Sequence, residues 1–219
     1  MSKVFFTSDL HFSHANIIKF CPAFRPQYVD EMDEYLISQW NSVVSPEDTV
    51  YNLGDVSFAH DIGRVEAVLR RLNGTHHLIY GNHDALIRQH APRLLNTPKH
   101  DGLPLLASAQ DYLLLKLPDS KQKMVLFHYP IHEWDGCHKG WYHLHGHIHD
   151  RIAPVRGRVL NVGWDLHGRL LEASDIERFL SALPKVSHFG DDDDKAWLPS
   201  SPEQAAADIR AILKKHNLQ

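Results

Sequence analysis

Cysteine is nearly missing from this chain, with Cys21 and Cys137 the only two. Two thiols make no disulfide framework, so a small domain stapled by cross-links is excluded and a reduced, cytoplasmic chain is the expectation. Long apolar runs are missing too. No stretch approaches the roughly 18 apolar residues of a membrane span, and the short run after Met1 lacks the length of a signal peptide. Neither sign of charge prevails. A net charge of −4 with histidine neutral argues against the basic face that broad, non-specific nucleic-acid binding requires. No internal repeat is evident. What is present is enough apolar material for one sizeable core: 43% of 219 residues are hydrophobic and 10% aromatic, which fits one domain with an appendage.

Histidine is abundant, at 18 residues. Four of them fall within Tyr142-His143-Leu144-His145-Gly146-His147-Ile148-His149-Asp150. Such a cluster is either a solvated polar loop or a metal-binding stretch. In extended backbone, residues two apart share a side, so His147 and His149 can converge if Gly146 lets the chain bend out of a preceding strand.

The remaining chain reads as alternating strands and helices. Val4-Phe5-Phe6 is a buried strand that stops at Asp9-Leu10-His11. The two prolines of 21–26 mark an irregular loop. Residues 29–44 predict an amphipathic helix, with Met32, Leu36, Ile37, Trp40 and Val43 at three- and four-residue steps. Strand 49–53 stops at Gly54-Asp55. Helix 63–72 ends at Asn73-Gly74, and strand 77–80 stops at Gly81-Asn82-His83-Asp84. Runs 112–117 and 123–128 predict an antiparallel hairpin around Pro118-Asp119-Ser120, ending at His128. A loop with Trp134, Lys139 and Trp141 follows. Strand 158–162 leads to Gly163-Trp164-Asp165, and a helix spans 174–183. The main domain is therefore expected at 1–183, and 184–219 as an acidic linker plus a C-terminal helix opened by a capping-box spacing at Ser201-Pro202-Glu203-Gln204. The run Asp191-Asp192-Asp193-Asp194-Lys195 is either a natural linker or a protease recognition run, and carries no chemistry.

Five times a short apolar run ends and ligand-type residues follow at once: Asp9/His11, Asp55, Asn82/His83, His128, His147/His149. Strands of one sheet present their ends along one edge, where open α/β folds place sites. With His83 set aside, two Asp, four His and one Asn form a nitrogen- and oxygen-donor set that suits Mn, Fe, Zn or Ni over Cu(I), Ca or Mg. Seven ligands are too many for one tetrahedral ion.

The order D-x-H, G-D, G-N-H-D, His, G-H-x-H resembles the calcineurin-like metallophosphoesterases, over roughly residues 4 to 165. The opening from Phe6 to Ile18 is also similar to a subgroup of small bacterial and phage phosphoesterases. The resemblance implies an α/β fold, a two-sheet β-sandwich flanked by helices, with a dinuclear metal site at the strand ends. It implies that Asp9, His11, Asp55 and His149 hold one metal and Asp55, Asn82, His128 and His147 the other, with Asp55 bridging. The ions would be two divalent transition metals, manganese first, with iron, zinc or nickel as alternatives. His83 would be the catalytic acid, with Asp84 fixing its tautomer. The implied activity is hydrolysis of a small phosphodiester, of nucleotide or cyclic-nucleotide type among others, by a metal-bridging hydroxide. A phosphomonoesterase or nucleotide phosphatase is the alternative, and a non-catalytic interaction scaffold the remote one. His14, Arg25, Trp134 and Lys139 are candidate substrate contacts, although Trp134 and Trp141 serve equally well to pack their loop. His143 and His145 read as supporting residues. The sequence is silent on oligomeric state.

Overall fold

Short runs of β-branched and aromatic residues form the strands. In chain order they are β1 (Val4–Thr7), β2 (Thr49–Asn52), β3 (Thr75–Ile79), β4 (Ser108–Gln110), β5 (Tyr112–Lys116), β6 (Lys123–Phe127), β7 (Tyr142–His145), β8 (Val159–Asn161) and β9 (Leu171–Glu172). The helices are α1 (Ala15–Phe20), α2 (Val29–Val43), α3 (Ile62–Leu69), α4 (Ala85–Gln89), α5 (Ala91–Asn96), α6 (Trp164–His167), α7 (Ala173–Leu180) and α8 (Pro202–Lys215). The structure is a computed structural model that describes residues 2–118, 120, 122–186 and 202–215. The acidic run 191–195, the Ser201 cap and Asp119 of the hairpin turn lie outside the described residues.

The architecture is α/β, with two mixed sheets flanked by helices. One sheet has the order β4-β3-β2-β1-β9 and the other β5-β6-β7-β8. The first four strands of the first sheet are parallel, and β9 runs antiparallel to β1. In the second, β5 and β6 pair antiparallel, from Tyr112↔Phe127 to Lys116↔Lys123, while β6, β7 and β8 are parallel.

Alternation along each strand sorts the core into two layers. Phe5, Val50 and Leu78 pack with Met32, Leu36 and Trp40 of α2 and with Val65 and Leu69 of α3. Phe6, Leu53 and Ile79 point the other way and pack with Met124, Leu126 and Leu144 of the second sheet. Each such side chain, fully buried, contributes about 1.5–3 kcal/mol. The two sheets therefore share one apolar layer.

The chain divides into two units, 1–186 and 187–219. Within the second, α8 is the described element. Several short elements carry no periodic signal and are absent from the sequence reading: β4, β9, α1, α4, α5 and α6, each six residues or fewer. Helix α3 ends three residues before the expected Leu72, and Gly74 at φ 82° turns the chain into β3. Among the described residues no helix is long and apolar enough to cross a membrane.

A buried histidine of β3 departs from apolar chemistry. His76 of β3 is 2% exposed, its ring lies 5.1 Å from Trp40, and neither ring nitrogen has a hydrogen-bond partner. Burial, with the charge of Lys99 next, pulls its pKa from 6.5 to about 3. Lys99 is itself buried and donates to the carbonyls of Leu72 and Gly74 at 3.0 and 2.7 Å. The folded state therefore demands a neutral imidazole, while the unfolded chain protonates it below its ordinary value. The stability this confers is present above pH 6.5 and is lost as pH falls toward 3. Between pH 7 and 5 the loss should be about 2 kcal/mol. His76→Leu should flatten that slope in denaturant titrations at pH 7, 6 and 5. An unchanged slope would contradict this account of His76.

Candidate metal centre

The parallel register of β1 on β2 continues past both strands and sets their ends side by side. Asp9 N–H donates to Gly54 O at 2.9 Å, His11 N–H to Asp55 O at 3.0 Å and Phe12 N–H to Val56 O at 2.9 Å. In the second sheet β6, β7 and β8 likewise deliver His128, the 146–149 segment and Gly163 to one end. The Ser8↔Gly163 bridge joins the two groups of strand ends.

The backbone there is unusual. Six non-glycine residues have positive φ: Asp9 (57°), His11 (53°), Ser13 (62°), Asp55 (55°), His147 (72°) and His149 (55°). Left-handed backbone is uncommon outside glycine, and its strain tends to concentrate at functional sites. Five of these six are candidate ligands.

Their side chains gather in two adjoining groups. In each of Asp9/His11/His149 and Asp55/His128/His147, one ligand atom per residue lies within 4.8 Å of the others. Asp55 Oδ2 stands between the groups, 3.7 Å from His11 Nε2 and 3.6 Å from His128 Nε2. Asn82 Oδ1 lies 3.0 Å from His128 Nε2 and 2.8 Å from His147 Nδ1, so the carboxamide joins the second group. His11 is 1% exposed and neither ring nitrogen has a hydrogen-bond partner. A buried polar atom without a partner is costly, and a metal ion is a partner that both His11 and this donor set fit.

Close approach explains two glycines. A Cβ on Gly54 (φ 99°) would meet the backbone of Gly81 and stand 2.9 Å from His128 Nδ1. A Cβ on Gly146 would overlap the Ser8 hydroxyl. Gly146 is thus required for room. The bend expected of it is made instead by His147 and His149 in left-handed conformation.

Burial governs the electrostatics. It raises the Asp9 carboxyl to about 7, helped by the neighbouring charge of Asp55, and raises Asp55 as well. It lowers His11 well below the usual imidazole range, takes His128 to about 4, and lowers His147. His149 moves up, because Asp165 accepts its hydrogen bond. Three of the four histidines are therefore held neutral, the form that binds a cation.

Three expectations change, those for Asp84, Arg25 and Lys139, while Trp134 takes the packing role that was one of its two readings. Asp84 does not orient His83. It is buried, and its carboxylate accepts from the backbone N–H of Asp55, Val56 and Gly81 at 2.8–2.9 Å, tying the two loops together. Arg25 is no substrate contact. Its side chain is fully buried, pairs with Asp165 at 2.6 Å and donates to the carbonyls of Asp9 and Leu10. Trp134 packs with Val125 and Cys137, its indole N–H on Trp141 O at 3.0 Å. Lys139 lies 5.4 Å from the Trp141 ring centroid, just before β7 begins and so at the end of that strand remote from Gly146. His14 does reach the site, its ring centroid 5.3 Å from that of His11. His83 reaches it as well, 5.8 Å from His11. His143 and His145 are buried and bonded to backbone carbonyls.

Two residues escaped the sequence reading. Asp165 Oδ2 lies 2.8 Å from His149 Nδ1, which leaves Nε2 of that ring for a metal. Asn161 donates to the carbonyls of His149 and Arg151 at 2.9 and 3.0 Å. The signal was available: both follow or end β8, a sixth strand whose end carries polar residues.

No family model matches the chain. The uncharacterized protein MJ1445 of Methanocaldococcus jannaschii is 45% identical over 201 residues, covering 84% of this chain and 99% of that protein. The Gene 66 protein of Mycobacterium phage D29 is 29% identical over 205 residues, covering 84% and 98%. That of Mycobacterium phage L5 is 28% identical over 200 residues, covering 80% and 93%. The crystal structure of the protein of unknown function AQ665 from Aquifex aeolicus aligns with a TM-score of 0.62 at 20% identity, over 82% of this chain and 100% of that one. It shows a shared fold.

Asp165→Asn should strip the charge partner from a buried guanidinium and leave one acceptor oxygen where Arg25 and His149 use two. The expected losses are about 3–5 kcal/mol of stability and about 10–100-fold in Mn(II) affinity. Denaturant melts and calorimetric titration measure the two. Wild-type values in both would remove Asp165 from the site.

Proposed function

We propose that this chain, which belongs to the same family as MJ1445 of Methanocaldococcus jannaschii, is a metal-dependent hydrolase of phosphoesters, acting on small phosphodiesters. One observation carries the reading: two three-ligand groups adjoin, with Asp55 Oδ2 of the second 3.6 Å from His128 Nε2 of its own group and 3.7 Å from His11 Nε2 of the first. The ordered D-x-H, G-D, G-N-H-D, His and G-H-x-H motifs support it.

Asp9, His11, Asp55 and His149 would hold one divalent cation, and Asp55, Asn82, His128 and His147 the other, manganese first and iron, zinc or nickel as alternatives. Such a pair supplies charge to clamp phosphoryl oxygens and to lower the pKa of the attacking water. The chain's own groups do the remainder. Asn82 adds a neutral oxygen, which keeps the site attractive to a phosphate. His83 is exposed next to Asn82, and its backbone N–H is anchored on Asp55 Oδ1 at 2.9 Å. As water oxygen joins phosphorus, the ester P–O bond breaks and the leaving oxygen takes the proton from the His83 N–H. His83 recovers a proton from solvent, and the water's own proton passes to solvent. General-acid help of this kind matters most for the poor leaving group and lower charge of a diester.

With Mn(II) supplied, bis(p-nitrophenyl) phosphate should be hydrolysed faster than p-nitrophenyl phosphate. A strong monoester preference would instead make the protein a phosphomonoesterase or nucleotide phosphatase. His83→Ala should keep its metal content and lose about 100-fold in diesterase rate. An unchanged rate would remove His83 from the mechanism. A chain without transition metal and inactive with added Mn(II) would be a scaffold.

A further inference from the structure

The histidines near the metal-facing groups are fixed in two ways. His128 Nδ1 bonds Leu53 O at 2.6 Å, and His149 Nδ1 bonds Asp165. Each is oriented by an acceptor on the nitrogen remote from the site. His14 and His83 have no such acceptor among the described residues. His14 Nδ1 is buried and unpartnered. His14 stands at the N-cap of α1, yet its side chain does not cap the helix.

Both rings meet one side chain instead. The Phe58 ring centroid lies 3.6 Å from that of His14, with the planes 8° apart, and 4.4 Å from that of His83. It lies 5.0 Å from the His11 ring. Phe58 is in turn bolted to the loop carrying His11 and His14. Its N–H donates to Phe12 O at 2.8 Å, and Ser57 Oγ donates to the same carbonyl at 3.2 Å. Across that loop, Asp33 of α2 accepts from the Ser13 N–H and hydroxyl at 2.8 and 3.0 Å, holding Ser13 in left-handed backbone directly before His14. A phenyl ring orients an imidazole by its face and offers no acceptor. It therefore fixes the two rings while leaving their N–H groups for a substrate.

We propose that Phe58 is a positioning residue that seats His14 and His83 as a pair, so that two imidazoles act on the substrate ester, His83 at the leaving oxygen and His14 at a neighbouring phosphoryl or leaving-group oxygen. The proposal rests on the hydrolase reading. It adds no reactant: His14 donates a hydrogen bond, and the proton transfer remains that of His83.

The test compares wild type, Phe58→Leu, Phe58→Tyr and His14→Ala/His83→Ala on two Mn(II)-supported diesters, bis(p-nitrophenyl) phosphate and the poorer-leaving diphenyl phosphate. Phe58→Leu should keep its Mn(II) stoichiometry and melting temperature. It should lose at least about tenfold in kcat on diphenyl phosphate, and less on the nitrophenyl ester, because weakened acid assistance penalises the poorer leaving group more. Phe58→Tyr, which restores the planar face, should recover the rate. Added to His14→Ala/His83→Ala, Phe58→Leu should cost nothing further, since residues acting through one another are non-additive. Equal losses on both esters, or a further loss in the double-mutant background, would overturn the role of Phe58. A wild-type chain that hydrolyses neither ester overturns the hydrolase reading and this one with it.

Discussion

Left-handed backbone at non-glycine residues is the constraint around which this site is built. Each such residue costs on the order of 1–3 kcal/mol unless its surroundings over-determine it, and here the surroundings do. Arg25 reaches from the 21–28 loop to grip the carbonyls of Asp9 and Leu10. Asp33 holds Ser13, Asp84 holds the N–H groups of Asp55 and Val56, and the Asp9 carboxylate accepts from the N–H of His147. The strained residues thus hold one another through charged side chains that bond to backbone. This explains why Arg25, Asp33 and Asp84, none of them a candidate ligand, sit so close to the candidate ligands: they convert strand ends into a fixed arrangement of side chains.

The same arrangement concentrates charge that burial opposes. Asp9 and Asp55 are both buried, and burial makes ionisation of each harder, with the charge of Asp55 adding to the effect on Asp9. The Arg25 guanidinium lies at the side of Asp9, donating to its carbonyl, and its charge is already matched by Asp165. A region with two buried carboxylates, a committed guanidinium and neutral imidazoles is short of positive charge. The proposed divalent cations would complement it, and Asn82 would supply an oxygen without charge.

Much of this was legible in the sequence, and for a local reason. An apolar run followed at once by Asp, Asn or His is visible within a few residues, so the strand ends and all seven candidate ligands could be read directly. The core face of α2 was legible at Met32, Leu36, Ile37 and Trp40 because its 15 residues span several turns of periodic burial, while Val43 at its last position is exposed. What was hidden is non-local. Arg25 and Asp165 are 140 residues apart, and nothing in either neighbourhood marks the other. Asp84 beside His83 read as a partner of that ring, but its carboxylate turns back to the neighbouring loop's amides. Gly146 read as a hinge because a glycine before two histidines invites that reading. Its crowding against Ser8 is a fact of packing. Elements of two to six residues, such as β9 and α6, hold too little pattern to see.

The hydrogen bonds from His147 N–H to Asp9 span 138 residues, and this has a consequence for how the site comes into being. Its first donors leave the ribosome early, and its last arrive only after β7 and α6 have been made. Until the second sheet docks on the first, the 8–13 segment has no Gly146, His147 or Asp165 to lean on. Contacts of such long sequence separation form late and slowly, because chain closure must come before they reward it. The centre is therefore a feature of the completed first unit, and a fragment that stops before β7 would have the first strand ends but no site.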